Sequence, residues 1–312
     1  MKLNELLSEW LTVHREEEIK PQTIIRYECC INNYIKDSLG QEEIRNITKK
    51  TVQSYVEGLK QTLGERTEKE LSTSSVRCVL AVLKLAFDYA VENDLIPSNP
   101  AKRVFAPFGK EKKAAESFTL DEQKAIESYV LSEGVDGNYG ILLSLYTGIR
   151  IGELVALTWD DVNLEYGSIS VTKTQTINKD DSGHWKPEDG TPRSEASGRI
   201  IPLPQFVVED LQAIKERSTS SYVFTLPSGN PMNAKILRWR FEQILIKLEI
   251  RKLSFNSLRH SFATRAIDSG MDVVTLSEIL GHAEAGNIIN IYKESFKFNK
   301  EAMTSLKRIG NK

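Results

Sequence analysis

Apolar residues recur at helical spacing through most of the first hundred positions. In LNELLSEWLTVHREE, Leu3, Leu6, Leu7, Trp10 and Leu11 fall on one face of a helix. Pro21 and Thr23 mark a second helix start, and IIRYECCINNYI then carries an apolar face. TKKTVQSYVEGLKQ is a third helical segment. SSVRCVLAVLKLAFDYAVEND gives the strongest pattern: Val79, Leu80, Leu83, Ala86 and Ala90 make one stripe, with Ser74 or Ser75 as its cap. The two prolines of PSNPAK, Pro97 and Pro100, end it. Residues 1–100 are therefore expected to form a domain of four helices without strands.

Residues 101–116 change character. Lys102, Arg103, Lys110, Lys112 and Lys113 stand against Glu111 and Glu116, with Pro107 and Gly109 as breakers. This reads as an exposed basic linker, or more simply as a solvated loop. A second domain, 117–312, opens with SFTLDEQKAIESYV, a helix capped at Thr119. GILLSLYTGIR predicts a buried helix ending at Gly148, and IGELVALTW a short one. The period then shifts: GSISVTKTQTI and GRIIPL are strand-like, with the polar stretch NKDDSGHWKPEDGTPRSEAS between them. YVFTLPSGNPM reads as a short strand and turn, and helices return from Asn233 onward. The expected fold class is mainly α, with a small antiparallel β-sheet in the C-terminal domain.

Composition narrows the options. The 312 residues include 41 Lys and Arg against 43 Asp and Glu, so the formal net charge is −2. Any nucleic-acid surface must then be local, since the overall balance does not show one. The hydrophobic and charged fractions are those of a soluble globular chain and exclude collagen and long coiled-coil rods. The three cysteines, Cys29, Cys30 and Cys78, are odd in number and lack metal-type spacing. No signal-like start and no apolar run of ~18 residues occurs, so no membrane partner and a cytoplasmic location are expected.

Three segments carry candidate chemistry: TGIRIGELVALTW with Arg150, SLRHSFATRAIDSGMDVVTLSEILGH with Arg259, His260 and His282, and IINIYKES with Tyr292. Each alone has an ordinary explanation. Arg150 with Glu153 matches a helix-surface ion pair, and a tyrosine on an amphipathic helix usually covers core. In this order, however, the motifs resemble those of the tyrosine recombinases, the phage-integrase family. The resemblance spans roughly 115–300, and the helical first domain looks like that family's SAM-like core-DNA-binding domain.

The resemblance implies a two-domain DNA clamp that cuts and rejoins DNA at specific recombination sites. The route is a covalent 3′-phosphotyrosine, with no metal and no cofactor. It makes Tyr292 the nucleophile, a weak one unless relieved of its proton, since a phenol has a pKa of ~10. Arg150 and Arg259 would fork onto the phosphate oxygens, and His282 would hydrogen-bond the scissile phosphate. His260 would give support, and Glu153 would either buttress Arg150 or form a surface pair.

Two positions depart from the family pattern. Asn256 stands where a His or Lys is usual, and it cannot exchange a proton near neutral pH. Arg193 stands where a lysine general acid is usual, with Lys186 and Lys173 as alternatives. An arginine, with a pKa above ~12, gives up its proton reluctantly, so slow chemistry or a different acid is expected.

Implied partners are double-stranded DNA, a homotetramer on that DNA and an accessory DNA-bending or directionality protein, with the enzyme associated with the nucleoid. Residues 1–100 hold 13 basic and 16 acidic residues, so their binding face must be one-sided. Residues 235–259 are richer, with Lys235, Arg238, Arg240, Lys247, Arg251, Lys252 and Arg259 against Glu242 and Glu249. The apolar residues of the tail, including Phe296, Leu306 and Ile309, would pack on a neighbouring subunit or on their own domain. The first domain begins almost at Met1, so no arm-binding domain is expected upstream. Two competing readings stand beside the recombinase: a derived DNA-binding protein with weak or lost strand exchange, and a topoisomerase-like relaxing enzyme.

Overall fold

The computed structural model describes residues 1–16, 19, 21–59, 71–107, 116–179, 185–190, 198–281 and 309. It divides into two compact units, Met1–Lys112 and Lys113–Lys312.

The first unit holds four α-helices among its described residues: α1 (Leu3–Glu16), α2 (Pro21–Cys30), α3 (Lys49–Leu59) and α4 (Thr73–Glu92). A π-helical turn, Ile31–Ile35, prolongs α2. The predicted stripes meet in one core, where Leu3, Leu6, Leu7 and Trp10 join Val79, Leu80, Leu83, Ala86 and Ala90. The cap of α4 is Ser72, whose Oγ accepts from the Ser75 backbone N–H at 3.1 Å, rather than Ser74 or Ser75. Both of those residues already lie in the first helical turn. The stretch read as a linker starts inside this core: Ala101 and Val104 are buried in it. The Gln53 side chain then pairs with the Phe105 backbone N–H and C=O, both at 3.3 Å.

In the second unit, α5 (Leu120–Glu133) starts on a reciprocal cap: Thr119 Oγ1 accepts from Glu122 N–H, and Glu122 Oε2 accepts from Thr119 N–H. Next come α6 (Tyr139–Thr147) and α7 (Ile151–Val155), then β1 (Val162–Asn163), β2 (Ser168–Val171), β3 (Thr174–Lys179), β4 (Trp185–Gly190) and β5 (Arg199–Pro202). Helices α8 (Gln205–Arg217), α9 (Ala234–Lys247), α10 (Asn256–Asp268) and α11 (Val273–Leu280) follow. Every residue of α6 is buried, as its unbroken apolar run predicts, and α10 packs against it.

Two antiparallel sheets form where one was expected. One has the order β1-β2-β5, with Ser168 opposite Pro202 and Val171 opposite Arg199. The other is the ribbon β3-β4, with Thr174 opposite Gly190. Strand β4 lies within the stretch read as a polar connection, and WKPEDG carries no apolar alternation to announce it. Helix α8 was also not anticipated, although Val207, Leu211 and Ile214 give it an apolar stripe.

A buried polar network crosses this unit. The Tyr146 hydroxyl donates to Glu127 Oε1 at 2.7 Å, and the Arg265 guanidinium lies over the Tyr146 ring and donates to Leu145 O. Ile309, the one described residue beyond Gly281, donates its N–H to the Tyr146 hydroxyl at 3.0 Å and packs on this core. That residue of the tail therefore rests on its own domain. Among the described residues, no helix is long and apolar enough to cross a membrane.

Candidate active site

The site is built around a sharp turn. Helix α6 ends at Gly148, which has φ 65°. A Cβ there would lie 2.5 Å from Leu280 Cδ2 and 2.7 Å from Phe262 Cδ1, so both the dihedral and the space demand glycine. The turn buries Ile149 and places Arg150 at the N-cap of α7.

Glu153, one turn into α7, holds Arg150 twice. Its Oε2 accepts from the Arg150 backbone N–H at 3.1 Å, and its Oε1 accepts from Arg150 Nη1 at 2.9 Å. With a side chain only 4% exposed, Glu153 is no surface partner. Burial pushes its carboxyl up, but Arg199 and then Arg150 outweigh that and hold it below the ordinary carboxylate range. Arg150 itself remains 35% exposed and donates from Nη2 to Gly281 O at 3.0 Å. A guanidinium has five N–H donors, so these bonds leave donors over for an external anion.

Arg259, on α10, ties two elements together. Its Nη1 donates to Gly148 O at 2.8 Å and its Nη2 to Leu280 O at 2.7 Å. Arg199, at the start of β5, donates from Nε to Ile279 O at 2.6 Å and from Nη2 to Glu153 Oε2 at 2.8 Å. Three consecutive carbonyls at the C-terminus of α11, those of residues 279, 280 and 281, thus each receive a different arginine. A helix end leaves such carbonyls unpaired and partially negative, which is why cations gather there. Among the described residues, Glu153 is the carboxylate paired with Arg150 and Arg199.

Asn256 lies exposed in the first turn of α10, and its side-chain amide is 2.8 Å from His260 Nε2. Burial, then the charge of Arg259, lowers the pKa of His260, keeping it neutral at physiological pH. Lys173 Nζ lies 3.7 Å from Asp161 Oδ2, and Lys186 is exposed on β4. Arg193, His282 and Tyr292 lie outside the described residues. The structure therefore brings Arg150 and Arg259 together and places Asn256 on the same helix as Arg259. Sequence reasoning missed Arg199, whose only signal was its place at the head of a strand-like run.

Residues 117–298 match the phage integrase family, and residues 2–60 match the phage integrase N-terminal SAM-like domain. The chain belongs to the phage integrase family and is a tyrosine-type site-specific recombinase. It is 28% identical to the XerC-like tyrosine recombinase of Caldanaerobacter subterraneus subsp. tengcongensis, covering 93% of this chain and 78% of that protein. Its fold is that of the Tn1549 transposon integrase in complex with transposon right end DNA (TM-score 0.78, 22% identity, 94% of this chain and 95% of that one). The lambda integrase tetramer bound to a Holliday junction shares it too (TM-score 0.68, 19% identity, 91% and 78%).

Proposed function

We propose that Tyr292 attacks a DNA backbone phosphate, joining its phenolic oxygen to phosphorus while the bond to the 5′ oxygen breaks. A 3′-phosphotyrosine and a free 5′-hydroxyl result, and attack by a 5′-hydroxyl of another strand reverses the step. Arg150 and Arg259 stabilise the charge that develops on the non-bridging oxygens; a preorganised donor of this kind is worth ~10²–10³ in rate. His282 donates to the same phosphate. Asn256 supplies a neutral hydrogen bond where the family has an ionisable group. Arg193 stabilises the leaving oxygen by charge but returns a proton slowly, so the reaction is slow. One observation carries this reading: Arg259 and Arg150 donate to the adjacent carbonyls of Leu280 and Gly281, directly before residue 282.

Double-stranded DNA with specific recombination sites is the substrate. Lys235, Arg238 and Lys247 of α9, with Arg251 and Lys252 beyond it, are exposed and suit phosphate contact. The lambda integrase likeness supports a tetramer as the working assembly. A nicked suicide substrate tests the chemistry: the wild-type chain is expected to trap a covalent DNA adduct, and Tyr292→Phe none. Asn256 favours a second reading, a DNA-binding protein that has lost strand exchange. Specific binding by the wild-type chain with no adduct under any condition would select it.

A further inference from the structure

We infer that Arg199 is a positioning residue of the recombination reaction, holding Arg150 through Glu153 and the end of α11 through Ile279. The inference rests on the reading above, in which Arg150 binds the scissile phosphate.

The Arg199 side chain is only 6% exposed. A guanidinium removed from water is tolerated only where its donors are matched. Two of its partners are parts of the site: Glu153 Oε2 at 2.8 Å and Ile279 O at 2.6 Å. Glu153 is thereby fixed from one side by Arg199 and grips Arg150 from the other, at both backbone N–H and Nη1. Without Arg199, the carboxylate would be free to turn with Arg150, whose side chain is the most exposed of the three arginines. The Ile279 carbonyl would lose its donor too, loosening the helix end to which Arg150 and Arg259 are tied. Nothing in the β2–β5 ladder requires an arginine at this position, since backbone groups make that pairing.

The test measures single-turnover adduct formation on a suicide substrate at saturating DNA, with DNA affinity measured separately. Arg199→Ala is expected to slow adduct formation about 10–100-fold, the usual effect of losing a group that orients a ligand, and to change affinity less than about threefold. Arg199→Lys recovers part of the rate, because a compact ammonium keeps the charge but cannot span Glu153 and Ile279 together as the fork does. In an Arg150→Lys background, adding Arg199→Ala slows the reaction far less than in the wild type, because the group it positions is already altered.

An unchanged rate for Arg199→Ala overturns the inference while leaving the recombinase reading intact. So does an equal factor in both backgrounds, which a merely structural arginine would give. Should Arg199→Ala fail to fold, Arg199→Lys decides alone: wild-type rate overturns the inference, and a slower rate at unchanged affinity supports it. A wild-type chain that forms no adduct overturns the reading of the site itself, and the inference with it.

Discussion

Arg150 and Arg259, far apart in the chain, donate to neighbouring carbonyls at the end of one helix: Gly281 O at 3.0 Å and Leu280 O at 2.7 Å. The two motifs are thus fastened to a common frame, and that frame leads directly into residue 282. Arg259 adds a third tie, to Gly148 O, which fixes the turn that presents Arg150.

A lysine in place of Arg259 reaches one carbonyl, not two on different elements. Arg259→Lys is expected to lower single-turnover cleavage by ~10²–10³ and stability by ~1–3 kcal/mol, the effect of leaving a buried polar group unpaired. Cleavage kinetics and urea unfolding measure both. A rate near wild type would show that the double tie is dispensable.

Glu153 links charge to pH. Its folded pKa lies below the ordinary value of about 4.3, because Arg199 and Arg150 overcome its burial. A depressed carboxylate contributes stability that is present above the ordinary pKa and lost as pH falls through the folded value. The stability gap between wild type and Glu153→Gln is therefore expected to be constant near neutrality and to narrow only below about pH 4. Urea titrations across that range check it, and a gap that closes near pH 6 would contradict the account.

His260 is also shifted down, but here it is the neutral form that the fold favours. Burial and the neighbouring Arg259 disfavour its cation, so its ring protonates below the usual midpoint of about 6.5. The unfolded chain takes up that proton first, so acidification from about 6.5 downward removes stability until the folded ring also titrates. Imidazole resonances followed against pH give the midpoint directly, and a value at or above 6.5 would refute the placement.

Much of the fold could be read from periodicity. The stripe of α4, the all-apolar α6 and the capping pair Thr119–Glu122 need only local chemistry. Arg150 and Arg259 stand out through the ordered motifs around them. Arg199 does not, because GRIIPL announces a strand and nothing in one sequence says that its first side chain turns inward to Glu153. Strand β4 was silent for a related reason: it pairs with β3 through backbone groups, which leave no mark on a polar sequence. Glu153 was open to two readings until its burial decided between them.

The cysteines of the first unit give an independent check on its packing. Cys29 is exposed, whereas Cys30 is buried with its Sγ 3.2 Å from that of Cys78. Burial, then the contact with Cys78, pushes the Cys30 thiol well above its ordinary range, so little thiolate forms there. Maleimide at mildly alkaline pH should label Cys29 in the native protein and leave Cys30 unmodified until unfolding. Peptide mapping that finds equal labelling of both would overturn this packing of α2 against α4.

The most direct test of the central claim is to locate the DNA-linked residue. Covalent adducts trapped on a suicide substrate are digested with protease and nuclease, and the nucleotide-bearing peptide is sequenced by tandem mass spectrometry. The account predicts a 3′-nucleotide on Tyr292, at a yield per unit time that falls in both Arg150→Ala and Arg259→Ala. A nucleotide on another residue, or a yield indifferent to both arginines, would contradict it.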